Sequence, residues 1–354
     1  MSLHKTDKIR KRVRSDRNWG DGVTEDAKNL SSLDQQAFSA LAEPYRRELQ
    51  VHCYRMMGCV QDAEDMVQEM YLRAWRRRDT LADRQALRAW LYRIATNVCL
   101  DALDKQARRA VPVTYQPVST LAEPIPPSIM ESIWLEPYPD DWLVTSDDSP
   151  EQYLTTREDI ALAFIAALHL LPPRQRAVLI LRDVLNWPAR EVASLLETSE
   201  AAVKSALHRA RSTMAQQNAA AASELDDVAQ DKLEAYVQAW ETADIDGLLR
   251  LLKADATFSM PPIPSWYRGH DDIRTLTSRT VFSGEAKGRW HLLPTRANRQ
   301  LAFGLYRQSD EPGAYIAYGI QVLTLDDGLI ADITTFRNPA LCGRFGLPMT
   351  DHSV

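Results

Sequence analysis

Apolar residues recur at helical spacing from Phe38 to Arg109, a stretch with no proline after Pro44. In "DAEDMVQEMYLRAWRRRDTL" the pattern predicts a helix capped by Asp62, with Ala63, Met66, Val67, Met70 and Leu72 turned inward. Asp65, Gln68, Glu69, Arg73 and Arg76 are left on its outer side. In "LRAWLYRIATNVCLDALDKQARR" the residues Leu87, Leu91, Ile94 and Val98 should face a core, with Trp90 and Tyr92 in it or half-buried. Asn97, Asp101, Lys105 and Arg108 form a polar ladder that ends in cations. A second helical block covers residues 157–217. There Val192, Leu195 and Leu196 mark one face of a short helix that begins after Pro188, and Thr198 and Ser199 interrupt the pattern. Ser199 can cap a following helix with Ala202, Val203, Ala206 and Leu207 inward and Glu200, Ala201, Lys204, Ser205, His208 and Arg211 outward. That is the pattern of a helix-turn-helix. From about Asp226 the periodicity changes: two helices precede short β-branched and aromatic runs such as "AYIAYGIQVLTL", with "DDG" as a turn, which reads as α+β.

Composition separates these blocks. Residues 110–156 hold eight prolines and eight carboxylates without one Lys or Arg, so an extended acidic linker is expected. Residues 1–33 read as a mobile, solvated basic tail, residues 218–223 as an Ala-rich joint and residues 347–354 as a C-terminal tail. At 354 residues, 45% hydrophobic and 25% charged, the chain is long enough for two or three globular domains. Its net charge of −6 argues against a protein that simply coats nucleic acid, but the average hides strong segregation along the chain. Cys53, Cys59, Cys99 and Cys342 are scattered and lack His at ligand spacing, so buried thiols are expected and neither disulfides nor a metal site. No apolar run approaches the ~20 residues needed to span a bilayer and no signal peptide opens the chain, so a cytoplasmic protein without a membrane partner is expected.

The outer face of the Asp62 helix suits a protein partner, and the ladder from Asn97 to Arg108 suits nucleic acid. The second helix of the helix-turn-helix would lie in a major groove, with Lys204, Arg209 and Arg211 available to phosphates or guanine edges. An ordinary helical hairpin with a solvated basic face is the alternative on this stretch alone.

Together these segments resemble bacterial extracytoplasmic-function sigma factors. "DAEDMVQEMYLRAW" looks like the family's core-polymerase-binding helix, and "LRAWLYRIATNVCLDAL" like the helix that follows it. "LPPRQRAVLILRDVLNWPAREVASLLETSEAAVKSALHRAR" is similar to the second sigma domain. The resemblance implies two all-α sigma domains, residues 34–109 and 157–217, that bind core RNA polymerase and promoter DNA. It places Asp65, Gln68, Glu69, Arg73 and Arg76 on the polymerase clamp, and Asn97, Asp101, Lys105 and Arg108, with the loop around Arg77 to Asp83, on the melted minus-ten element. Glu200, Ala201, Lys204, Ser205 and His208 would read the minus-thirty-five element, with Arg209 and Arg211 on its backbone. Two departures stand out, Glu197 where the turn usually has Gly and Ala206 where the helix often has Arg.

Residues 226–346 resemble the SnoaL-like cone of the NTF2-like superfamily, an α+β fold around a pocket. Met260, Trp266, Tyr267, His270, Trp290, His291, Tyr306 and Tyr318 are the candidate lining, and a small-molecule ligand is one partner the cone could take. Two function classes follow: a regulator in cis without a catalytic site or cofactor, or a sigma factor whose cone also works as an isomerase or cyclase through Asp271, His270 or His291. A helix-turn-helix repressor is a third. The regulatory reading is favoured because no strand carboxylate sits in an apolar setting that would raise its pKa. Asp271 and Asp272 open a helix after Gly269, where capping accounts for them. In the linker, "IWLEPYPDDWL" is too apolar for water, so Trp134, Leu135, Tyr138 and Trp142 should dock, with the cone as the nearest aromatic surface.

Overall fold

The structure, a computed structural model, describes residues 34–81, 83–105, 109–122, 124–129, 134–143, 160–216, 229–311 and 313–352. The basic tail, Arg108, the Ala-rich joint and five of the eight linker carboxylates (Glu123, Glu131, Asp147, Asp148 and Glu151) lie outside the described residues.

The first helical unit contains α1 (Gln35–Ala42), α2 (Arg46–Met57), α3 (Val60–Arg76) and α4 (Leu87–Leu103). Asp34 caps α1 by accepting the Ala37 N–H, and Gly58 ends α2 with φ 72°, a left-handed close that glycine adopts without strain. Asp62 is not the cap of α3. Cys59 holds that position without a capping bond to the helix; its Sγ and the Val60 N–H both donate to Glu136 Oε2, at 3.1 and 3.2 Å, so the linker supplies the carboxylate from outside. Asp62 lies inside the first turn and pairs with Arg109. Ala63, Val67, Met70 and Ala74 form the buried stripe of α3, whereas Leu72 is 52% exposed because two residues from Met70 carry it about 200° around the helix. Leu87, Leu91, Ile94 and Val98 are buried along α4, as the periodicity predicts.

After the one-turn α5 (Pro112–Tyr115), the second helical unit runs through α6 (Leu162–Leu168), α7 (Pro173–Leu179), a π-helical turn at Ile180–Val184, α8 (Ala189–Leu195) and α9 (Glu200–Gln216). Val192, Leu195, Leu196, Val203 and Leu207 point inward. Ala202 is exposed instead and Ala210 takes an inward place, because the buried positions on α9 fall at 203, 207 and 210. The two helical units share one continuous core. The Arg93 guanidinium donates to the Ser194 carbonyl and hydroxyl at 2.6 and 2.9 Å, and the Tyr92 and Trp187 rings meet edge-on at 5.3 Å.

The last unit opens with α10 (Ala229–Glu241) and α11 (Ile245–Arg250). A seven-stranded sheet follows, built from β1 (Leu252–Ser259), β2 (Trp266–Arg268), β3 (Trp290–Ala297), β4 (Gln300–Gln308), β5 (Tyr315–Asp326), β6 (Leu329–Phe336) and β7 (Thr350–Asp351). The order is β2-β1-β6-β5-β4-β3 with β7 on β5, and only the β1–β6 pairing is parallel. α12 (His270–Arg279) joins α10 and α11 over one sheet face, and α13 (Ala340–Arg344) packs on the other face together with Leu162.

The described linker residues 134–143 are packed rather than extended through solvent, whereas Val118 and Ile125 are exposed. Leu135 and Tyr138 are fully buried, Trp134 is buried and Trp142 half-buried. Leu135 and Tyr138 belong to the core of the helical units, with the Tyr138 ring 4.7 Å from that of Tyr54, so their seat is not an aromatic surface of the cone. The reason is proximity: Gly58 and the α2–α3 corner leave an apolar recess beside Leu135, and burying a leucine there contributes about 2 kcal/mol.

Two core histidines predict the acid limit of stability. His52, with Nε2 2.9 Å from Thr96 Oγ1, is driven down to about 3 by burial and then by Arg55. His169 is also lowered, by burial and then by Arg176. Both are neutral when folded and take up a proton on unfolding below their ordinary ~6.5, so the stability they leave intact above pH 6.5 is lost as pH falls toward the folded values. Asp140 and Asp332, raised chiefly by burial, act in the opposite sense. Urea unfolding at pH 7 and pH 5 should show a loss of up to about 4 kcal/mol for the two histidines. Equal midpoints at both pH values would refute it.

Candidate nucleic-acid and protein interfaces

On α3 the side chains of Asp65, Gln68 and Arg76 are exposed, and Glu69 and Arg73 are half-buried. Arg73 donates to Glu69 Oε1 at 2.7 Å and across to Asp101 Oδ2 at 2.6 Å on α4, and both bonds raise its pKa, Asp101's the more. Asp101 therefore joins the two faces that the sequence reading keeps apart. Asn97 is half-buried on the same helix, and Lys105 is exposed two residues beyond its end. Between α3 and α4 two short 3-10 turns, Arg78–Thr80 and Arg84–Ala86, carry the chain past Trp75 and Trp90. The Arg78 guanidinium lies 4.0 Å over the Trp75 ring, and Trp90 Nε1 donates to Thr80 Oγ1 at 3.3 Å. An open groove of about 340 Å³ runs between α1 and α3, lined by Phe38, Tyr71, Leu72 and Trp75 among others. Sequence reasoning missed it, although Leu72, lying off the buried stripe, was its signal.

In the helix-turn-helix, Ser199 Oγ accepts the Ala202 N–H at 3.1 Å and Glu197 closes the turn with φ 52°. The left-handed turn forms without the usual glycine. Glu200, Ala201, Lys204, Ser205, His208, Arg209 and Arg211 are all exposed along α9. Arg211 pairs in two-pronged fashion with Asp183 at 2.7 and 2.8 Å, so Lys204 and Arg209 are the cations that project from the helix face without that commitment.

The candidate pocket is not one site. Tyr267 and Trp290 lie in the core under α10 and α12 with Tyr318 packed against it, and the Trp290 ring meets those of Trp240 and Tyr318 at 5.9 and 5.1 Å. Trp290 Nε1 donates to the Val281 carbonyl at 2.7 Å. Trp266 turns to the linker instead, with Nε1 donating to the Gln116 carbonyl at 2.8 Å. His270 Nε2 lies 3.3 Å from the Leu252 carbonyl, and His291 bridges Glu241 at 2.8 Å and Asp351 at 3.2 Å. Met260 is buried in the first core, while Tyr306 belongs to the core on the other sheet face and donates to the Pro348 carbonyl at 2.7 Å. The expectation about strand carboxylates also needs correction. Asp332 on β6 is raised by burial, its oxygens turned onto the hydroxyls of Thr257 and Thr334. It lies on the opposite sheet face from Ile333 and Phe258, which pack with Trp290.

Among the described residues, no cluster of His, Cys, Asp and Glu is arranged to hold a metal ion, and no helix is long and apolar enough to cross a membrane. All four cysteines are buried and free, and burial pushes the thiols of Cys59 and Cys342 up to about 12 and 11.

The chain matches Sigma-70 region 2 over residues 41–109, Sigma-70 region 4 over 161–214 and the SnoaL-like domain over 233–333. It is 42% identical over 321 residues to the ECF RNA polymerase sigma factor SigG of Mycobacterium tuberculosis H37Rv, covering 88% of this chain and 84% of that protein. With SigJ of the same organism it shares 33% identity over 220 residues, 61% of this chain and 62% of that one. The crystal structure of Mycobacterium tuberculosis SigJ superposes with a TM-score of 0.56 at 26% identity, covering 89% of this chain and all of that one. Helical units that carry an exposed charged helix and a helix-turn-helix, a cone behind them, and this likeness along nearly the whole chain lead to one conclusion: the chain belongs to the extracytoplasmic-function RNA polymerase sigma factors.

Proposed function

We propose that the chain binds core RNA polymerase in the cytoplasm, directs it to promoter DNA and is restrained in cis by its SnoaL-like cone. The observation that carries this reading is the presence, in one chain, of an exposed charged face on α3 and a helix-turn-helix whose outer face is wholly exposed on α9. Asp65, Gln68, Glu69, Arg73 and Arg76 take the polymerase, while Asn97, Asp101, Lys105 and Arg108 serve the minus-ten element. Lys204 and Arg209 approach the minus-thirty-five element with Glu200, Ala201, Ser205, His208 and Arg211 around them. In this division residues 34–109 and 157–217 are the working sigma domains, 110–156 their linker and 226–346 the regulator.

A regulatory cone accounts for its contacts better than a catalytic one. His270 and His291 are engaged by a carbonyl and by carboxylates, and Asp332 lies across the sheet from Trp290 and Tyr318. Leu135 and Tyr138 of the linker sit in the shared core of the helical units and Asn298 of the cone bonds Tyr54 and Ile160, whereas a promoter-bound sigma factor must spread those units.

Replacing Asp65 and Glu69 together by lysine reverses the charge of the α3 face without touching its buried stripe. The double variant should fail to co-elute with core polymerase while its circular dichroism stays unchanged. Undiminished co-elution would remove α3 from the interface.

A further inference from the structure

The turn between β3 and β4 consists of Asn298 and Arg299, with φ 55° and 59°, the mirror-image turn that suits a two-residue hairpin. Polar hairpin tips of this kind ordinarily stand in water. This one does not: Asn298, Arg299 and Gln300 are 0%, 2% and 4% exposed. Together they reach three segments outside the cone. The Asn298 N–H donates to the Tyr138 carbonyl at 2.9 Å, and the Tyr138 N–H donates back to Asn298 Oδ1 at 2.8 Å. Asn298 Nδ2 donates to Tyr54 Oη on α2 at 2.9 Å and to the Ile160 carbonyl at 2.7 Å. The Arg299 N–H donates to Asp140 Oδ1 at 2.7 Å, and Gln300 Oε1 accepts the Leu162 N–H at the start of α6 at 2.8 Å. One side-chain amide thus touches the first helical unit, the linker and the approach to the second.

We propose that the β3–β4 tip is a polar latch that binds the extended Tyr138–Asp140 segment and ties it to both helical units, and that withdrawal of the tip, with the cone still folded, is the step that lets those units separate. This rests on the reading of the cone as acting in cis. The chemistry favours release. Asn298, the Arg299 N–H, Gln300 Oε1 and Asp140 exchange their partners for water when the tip leaves, Gln300 Nε2 keeps its bonds to Leu323 and Thr324 within the cone, and Leu162 is the one buried apolar side chain among these partners that packs in a core of the cone. The Asn298 amide also sets the specificity, because its two donors face a phenol oxygen and a carbonyl. A carboxylate of the same shape has no proton to give either.

Two variants of the full-length chain separate this contact from the fold of the cone. Asn298→Gly keeps the left-handed turn and deletes every side-chain bond, and Asn298→Asp keeps the shape and deletes the donors. Hydrogen exchange at Tyr138 and Leu162 should quicken by about tenfold in both, with β4 and β5 unchanged, and binding to core polymerase should tighten by a similar factor. Unaltered exchange at Tyr138 and Leu162, or a general loosening of β4 and β5 in both variants, overturns the latch. So does faster exchange with unaltered polymerase affinity. A third variant, Arg344→Glu, acts on a separate cone contact with Glu64 and Glu136. If it shifts polymerase affinity and the Asn298 variants do not, the latch alone is wrong. If none of the three shifts it, the cis-acting reading falls as well.

Discussion

Replacing Arg176 by methionine is expected to cost about 3–5 kcal/mol of stability, because several buried carbonyls lose one charged donor at once. Arg176 is 1% exposed on α7. Its Nε donates to the Leu168 carbonyl at 3.1 Å, and its Nη2 donates to those of His169 and Leu171 at 3.4 and 3.3 Å. Its Nη1 crosses to the Met56 carbonyl at the end of α2. One guanidinium therefore closes the C-terminal ends of α2 and α6, where helix dipoles concentrate negative potential. Methionine fills much of the volume and takes the donor from these carbonyls, of which Leu168's keeps the Leu171 N–H, at about 1–3 kcal/mol for each one left unsatisfied. Urea unfolding reads the loss directly, and a value below about 1 kcal/mol would show that Arg176 does not join the two units. The same variant removes the second cause of the low His169 pKa, so its stability should fall less steeply toward acid.

Gly58→Ala should be nearly as damaging, by about 2–5 kcal/mol, because two costs add. With φ 72° the position lies in the left-handed region, where a side chain is strained. A Cβ there would also lie 2.3 Å from Leu135 Cδ2 and 2.6 Å from His169 Cε1. Those atoms come from the linker and from the second helical unit, so relief requires one of them to leave the α2–α3 corner. The expected signature is a lower unfolding midpoint together with faster hydrogen exchange at the Leu135 and Glu136 amides, which bond Ala110 and Gly58. A variant with the parental midpoint would mean that the corner can open without cost.

The helices of both units and the helix-turn-helix were legible because their signals are local: a repeat of 3.6 residues, Ser199 before α9, Pro188 before α8. The α+β character of the last unit was legible from its strand composition. The departures share a cause. Cys59 replaces Asp62 as the α3 cap because Glu136 arrives from 76 residues away, and no local pattern records that. Leu135 and Tyr138 announced by their apolarity that they dock, but their seat depended on how the two units meet. Trp266 and Tyr306 read as pocket lining because aromatic residues on strands look alike from either side of a sheet. Asp332 was overlooked because the hydroxyls that receive it, Thr257 and Thr334, matter only once β1 and β6 are paired.

The distance along the chain between the hairpin tip and its partners also imposes an order in time. Asn298 follows Tyr54 by 244 residues and Ile160 by 138. At ribosomal rates of about 5–20 residues per second, Tyr54 emerges roughly ten to fifty seconds before the residue that will bond it. Throughout that interval the nascent chain carries its first helical unit without the tip that later binds it. Every molecule thus completes both helical units before the residues of the proposed latch exist to bind them.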